Sequence, residues 1–333
     1  MNRASANFFT VLAVTAVYGM GTTAYAAGLT INPTFSSSLT SSDQSAIDAA
    51  IATIESDITS PNNIKVSIYF GSMTGGLGES NTTTEDIPYY DYYLGFSAVA
   101  TSAAQQTALA SLGTAPTSVS SGNPVNGNTE VQITSAEARN LGFSEAGGIT
   151  VRGVNGFFDG EVLLNTSLTS PPNTLGDNYG LEAVANHEID EVLGIGGTGS
   201  TIPVPGGSLS GPVGDLDLYR YSAGVRSYSN LQTTRPYSYL SIDGGNTVLS
   251  WFNQTPGADY GDWLSNPIPT GYEPQVQDAY GTQGTNPTLG PGEIAAFSAI
   301  GYAEIAPEPS TFALAGLGLL GFGLVRRRQS AKS

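Results

Sequence analysis

The isoleucines at positions 47, 51, 54 and 58 recur at intervals of three and four, so they line one face of a helix. The spacing predicts a helix over about 44–58, capped at Ser42-Asp43 and stopped by Pro61 and Asn62-Asn63. The period then changes to two. In IKVSIYFG, Ile64, Val66, Ile68 and Phe70 alternate with Lys65, Ser67 and Tyr69, which predicts a half-buried strand. Residues 71–95 read as loop leading into a helix over about 98–110, and the Pro-, Ser-, Gly- and Asn-rich segment 113–130 reads as an exposed excursion. TSAEARNLG (134–142) predicts a short helix closing on Gly142, and GFFDGEVLLNTS (156–167) a hairpin arm or edge strand. Leu181, Val184, Ile189, Val192 and Leu193 predict a helix over 181–193, with Asn178 as candidate cap and Gly194 as left-handed terminator. Beyond it the chain reads as loop through Gly214, a hairpin in YLSIDGGNTVLSWF turning at Asp243-Gly244, an acidic loop GADYGDWL, and a last helix over 291–300 before Gly301-Tyr302. This order predicts an α+β fold with a mixed sheet and a loop-rich C-terminal part.

The two ends carry different patterns. Asn2-Arg3, the apolar run Phe8–Val17 and Ala24-Tyr25-Ala26 make a charged start, an apolar middle and a small-x-small site, the form of a secretory signal peptide over residues 1–26. At the other end, Pro307-Glu308-Pro309-Ser310 precedes an uncharged apolar segment, 311–325, followed at once by Arg326-Arg327-Arg328. The segment is short for a hydrocarbon layer of about 30 Å, which tilt and snorkelling arginines accommodate, and the arginines set the cytoplasmic side. PEPSTFALAGLGLLGFGLVRRR resembles the PEP-CTERM sorting signal of Gram-negative bacteria. The resemblance implies a tail (304–333) inserted transiently in the inner membrane and cleaved by an exosortase, with signal peptidase as the other processing partner. The expected destination is the cell surface or the extracellular space. A permanent C-terminal anchor is the alternative.

Composition narrows the body between the signals, 27–303. With residues 1–26 and everything from 308 onward set aside, six of the 11 basic residues face 27 of the 28 acidic ones, a net charge of about −21. Such a surface repels nucleic acid and attracts divalent cations. No cysteine is present, so an exported chain of this kind has no disulfides, and any metal site must use nitrogen and oxygen donors.

The candidate chemistry sits in VANHEIDEVLG, which holds the only histidine. On a helix, His187 and Glu191 lie one turn apart on one face and can grip one ion, while Glu188 beside them is placed to take a proton from water. The bland reading of the same residues is an exposed acidic helix with a His–Glu pair. The element order, with TSAEARNLG, DGEVLLNTS as a cleft-lining strand, HEIDEVLG and EIAAFSAIGY, resembles the zincin metallopeptidases. More narrowly, HEIDEVLG with DLDLYRYSAGVRSY, YLSIDGG, ADYGDW and VQDAYG resembles a family of PEP-CTERM-bearing metalloproteases. The resemblance implies one zincin-like metallopeptidase domain over 27–303, acting on peptide or protein substrates through Zn²⁺, with Glu188 catalytic and His187, Glu191 and Asp217 as metal ligands.

Two departures from the zincin pattern matter. Glu191 stands where a second histidine is usual, and Gly197 stands where a metzincin carries its third ligand. The third donor must come from elsewhere. Asp215 and Asp217 in GDLDLY are candidates, with Asp217 favoured by the resemblance and an Asp-rich turn or calcium site as the other reading. Tyr219 and Tyr221 are candidate hydrogen-bond donors to an oxyanion, and Asp259 and Asp262 candidate ligands for a structural Ca²⁺. One imidazole with two carboxylates relaxes the preference for zinc toward other divalent ions. A catalytically inactive zincin-fold surface or biofilm-matrix protein is the alternative function, and a calcium-stabilised adhesin a third.

Overall fold

A computed structural model describes residues 28–202, 210–227, 237–266 and 271–305. The expected signal peptide and the apolar tail segment 311–325 lie outside the described residues, and no helix among those described is long and apolar enough to cross a membrane.

The chain opens with strand β1 (Leu29–Phe35), helix α1 (Ser41–Asp57) and strand β2 (Ile64–Ser72). α1 follows the isoleucine stripe, and Ile47, Ile51 and Ile54 are buried. Its cap is Thr40 rather than Ser42-Asp43: the Thr40 hydroxyl accepts the Asp43 N–H while Asp43 reaches back to the Thr40 N–H. β1 pairs in parallel with β2, Leu29 beside Ile64 and Phe35 beside Phe70, and α1 provides the crossover that a parallel pair requires. The alternation of LTINPTF is interrupted by Pro33, which an edge strand tolerates, and that interruption hid β1 from the periodicity.

Segment 71–95 is not the expected loop. It contains β3 (Gly78–Thr82), β4 (Thr84–Pro88) and the start of α2 (Tyr89–Val99), followed by α3 (Ala103–Ser111). β3 reads GESNT, with no apolar residue to mark a period, so sheet pairing rather than intrinsic preference makes it a strand. The single helix expected over 98–110 is two helices, separated where Ser102 caps α3 and Gln105 returns a hydrogen bond to the cap. β5 (Glu130–Thr134), α4 (Ser135–Asn140) and β6 (Gly160–Leu164) come next, then α5 (Leu181–Leu193) and α6 (Pro291–Ala299).

The main sheet has the order β1-β2-β6-β3, three parallel strands and one antiparallel edge. β6, expected at an edge, is interior between β2 and β3, and its Val162 and Leu164 are fully buried. The edge is β3, with Gly78 opposite Leu164 and Thr82 opposite Gly160. α5 lies directly on this sheet: a Cβ on Gly160 would come within 2.3 Å of Val192, so glycine there permits close packing. α5 has the expected bounds and ends at Gly194, whose φ of 118° is open to glycine without strain. The expected cap Asn178 is displaced; Gly180 occupies the cap position and the Asn286 carboxamide accepts the Ala183 N–H at 3.0 Å.

Beside Gly194 the core contains carboxylic acids. Glu137 of α4 is fully buried, and so is Asp215. Burial and their mutual proximity hold Glu137 well above the usual carboxylate range, and burial lifts Asp215 to about 8. Neither Glu137 oxygen has a hydrogen-bond partner among the described residues, and the neighbouring Asp215 carboxyl adds to the effect of burial in keeping Glu137 protonated.

Candidate metal centre

α5 projects His187 and Glu191 from one face, with His187 Nε2 3.9 Å from Glu191 Oε1. Asp262 approaches from the loop between the Ser250–Trp251 strand and α6, its Oδ2 3.8 Å from His187 Nε2. One donor atom from each of the three lies within 4.8 Å of the others. Tetrahedral zinc with bonds of about 2.0–2.2 Å sets its donors roughly 3.4 Å apart, so a small contraction brings this trio around one ion. The donor set, one imidazole and two carboxylates, suits zinc or a harder divalent cation.

The trio forms part of the lining of a cleft of about 490 Å³, together with Glu188 of α5 and Gly78 and Ser80 of β3. Each donor is oriented by a second contact. His187 Nδ1 lies 3.0 Å from the Val276 carbonyl oxygen, which makes Nδ1 the protonated nitrogen and leaves the Nε2 lone pair directed at the carboxylates. Glu191 Oε2 accepts from Ser80 Oγ at 2.5 Å and Oε1 from the Gly197 N–H at 2.9 Å. Gly197 thus supports a ligand through its backbone. Asp262 Oδ1 accepts from Gln277 Nε2 at 3.1 Å. Behind both loops stands Glu293 of α6, fully buried, whose Oε1 accepts the Trp263 indole N–H and the Gln277 backbone N–H, each at 3.1 Å. One carboxylate therefore fixes the neighbours of Asp262 and of Val276.

Charge accumulates here without basic relief. Burial and then the Glu191 charge push Glu188 well above the ordinary carboxylate range; burial raises Glu191 despite the opposing His187 charge; burial and Glu191 raise Asp262. Burial opposes a charge on His187, yet the Glu188 and Glu191 carboxylates and the Val276 carbonyl lift it above its usual value. Such a cluster favours taking up a cation. Glu188 packs against the edge strand: a Cβ on Gly78 would meet Glu188 Oε1 at 2.3 Å.

The structure assigns the other expected residues elsewhere. Asp217 does not join the trio. Its Oδ1 accepts from Ser200 Oγ at 2.8 Å and Arg220 Nε at 3.1 Å, and its Oδ2 from the Thr201 N–H at 2.9 Å and the Gly214 N–H at 3.2 Å, so both oxygens face protein donors in the core. Asp217 acts on the site at a distance: Arg220, held by it, stacks 3.7 Å over Phe252 and donates to the Tyr260 carbonyl, two residues before Asp262. Asp215 pairs with Glu137. Tyr219 and Tyr221 are buried and not among the residues lining the cleft. Asp259 lines the cleft and adds repulsion to Glu191. The strand expected to line the cleft, β6, is covered by β3, whose residues take that place. Sequence reasoning placed Asp262 in a separate calcium site and missed Ser80, Val276, Gln277 and Glu293. Gln277 lies 90 positions from His187, and no local spacing connects them.

A mixed α/β domain with an imidazole–carboxylate cleft is the class that fold and site define. Compared with known proteins, residues 306–328 match the PEP-CTERM protein-sorting motif. That motif indicates export and sorting to the cell surface, with an exosortase as processing partner. No curated protein and no solved structure matches the chain.

Proposed function

We propose that the protein is an exported metallopeptidase of zincin-like architecture, with His187, Glu191 and Asp262 holding a divalent cation and Glu188 acting as the base. The observation that carries this reading is the convergence of three donor atoms within 4.8 Å in a cleft, beside a third carboxylate, Glu188, on the same helix turn. A cation held there supplies Lewis-acid polarisation of a carbonyl and makes water easier to deprotonate. Glu188 takes the proton from the attacking water and passes it to the leaving amine, and burial and the Glu191 charge raise its proton affinity above that of an ordinary carboxylate. The antiparallel edge strand β3, bordering the cleft beside α5, supports the zincin-like reading. Two carboxylates neutralise more of the ion's charge than two histidines do, which weakens its acidity and favours manganese alongside zinc. An inactive surface protein that keeps the same cation is the second reading, supported by that neutralisation. Native mass spectrometry for bound metal, paired with peptide hydrolysis by Glu188→Gln, tests the proposal. Stoichiometric Zn²⁺ or Mn²⁺ with hydrolysis that Glu188→Gln abolishes supports it; metal with no turnover by the unaltered protein moves the chain to the second reading.

A further inference from the structure

Gln277 borders two members of the trio, and the proposed mechanism gives it no role. It is fully buried, and its Nε2 stands 3.3 Å from His187 Nε2 and 3.1 Å from Asp262 Oδ1. With His187 protonated on Nδ1, the Gln277 amide faces the imidazole lone pair that a cation would use and also donates to Asp262 Oδ1. Its Oε1 is buried and has no hydrogen-bond partner among the described residues. A buried carbonyl without a donor is unfavourable, so Oε1 gains from any positive partner brought within its reach.

We infer that Gln277 is a fourth protein ligand, turning its carboxamide so that Oε1 joins His187, Glu191 and Asp262 on the cation. The inference rests on the metal reading above. Half a turn about the last side-chain bond exchanges NH₂ for oxygen in nearly the same space, and that torsion is soft. The backbone leaves little other freedom: the Gln277 N–H is held by Glu293 at 3.1 Å, and the amide lies against Gly196, where a Cβ would fall 2.0 Å from Nε2. A cation between the three donors repels the NH₂ hydrogens and attracts Oε1, and that attraction takes the place of the Nε2–Asp262 Oδ1 hydrogen bond the turn gives up. The amide oxygen adds a neutral hard donor, so the site gains coordination without further loss of positive charge.

The test is calorimetric titration of Zn²⁺ and of Mn²⁺ into the mature protein, alongside Gln277→Met and Gln277→Glu. As a ligand, Gln277 makes binding weaker by roughly tenfold or more in the Met variant, in the range seen when a supporting polar group of a metal site is lost, and Gln277→Glu restores it. If the amide only covers the lone pairs, removing it takes away a competitor, so unchanged or tighter binding by Gln277→Met overturns the inference. Binding by neither ion in the unaltered protein overturns the metal reading itself. Should the Met variant not fold, Gln277→Glu decides alone through selectivity: an oxygen on the ion tightens Mn²⁺ more than Zn²⁺, and an equal change for both overturns the inference.

Discussion

His187 Nδ1 and the Val276 carbonyl oxygen are 3.0 Å apart, joining the only histidine, on a helix, to a loop far along the chain. This contact selects the tautomer in which Nε2 is an acceptor. It also brings Gln277, next in sequence, against the same imidazole, so the loop that orients the ring completes its surroundings.

Asp262 and Asp217 separate a ligand from a support. Asp262→Asn is expected to lose stoichiometric Zn²⁺ or Mn²⁺ while the metal-free melting temperature holds or rises, because a buried charge among like charges is removed. Asp217→Ala is expected to destabilise by about 3–5 kcal/mol through the buried Arg220 guanidinium it strands, with metal retained in the folded fraction. Denaturant unfolding and metal analysis of the two variants read both effects, and a folded Asp217→Ala that lacks metal contradicts the assignment.

For Glu188→Gln the expected loss in kcat is about 10²–10⁴-fold, the worth of a positioned base, with metal content unchanged. Peptidase assays on metal-loaded protein check it.

Gly78→Ala probes the same carboxylate from the opposite wall. The new methyl falls 2.3 Å from Glu188 Oε1, which must swing away, while the trio is untouched. Activity falls and metal affinity stays; a change in affinity instead places Glu188 on the ion.

Removing Glu293 frees two loops at once. Glu293→Ala is expected to weaken Zn²⁺ binding by about 10–100-fold, with Glu293→Gln milder because its oxygen still accepts the Trp263 and Gln277 hydrogens. A variant that loses stability but binds metal as tightly as before limits Glu293 to packing.

The Glu137–Asp215 pair sets a dependence on pH. Both hold protons in the folded state above the ordinary carboxylate range, Asp215 to about 8, because they are buried. The unfolded chain releases those protons near pH 4, so their contribution is complete below that and declines as pH rises toward about 8. With chelator present, the melting temperature should fall over that interval. Glu137→Gln, a neutral stand-in for the acid, should flatten the fall, and an unaltered slope refutes the raised proton affinity of Glu137.

Where an element buries one face against a ready surface, its pattern was legible in the residues themselves. The isoleucine stripe of α1, the alternation of β2, the bounds of α5 and its left-handed stop at Gly194, and the last helix before Gly301 follow from periods and caps that act within a few residues. So does the placing of His187 and Glu191 on one helix turn, because four residues bring side chains together whatever surrounds them. β3 and the third donor were decided by the tertiary structure alone. GESNT becomes a strand because β6 offers it an edge, and Asp262 rather than Asp217 reaches His187 because Arg220, Ser200 and two backbone N–H groups claim the Asp217 oxygens. Local periodicity records which way a side chain points from its own backbone; which carboxylate meets an imidazole from a distant loop depends on hydrogen bonds that form only once the loops are packed.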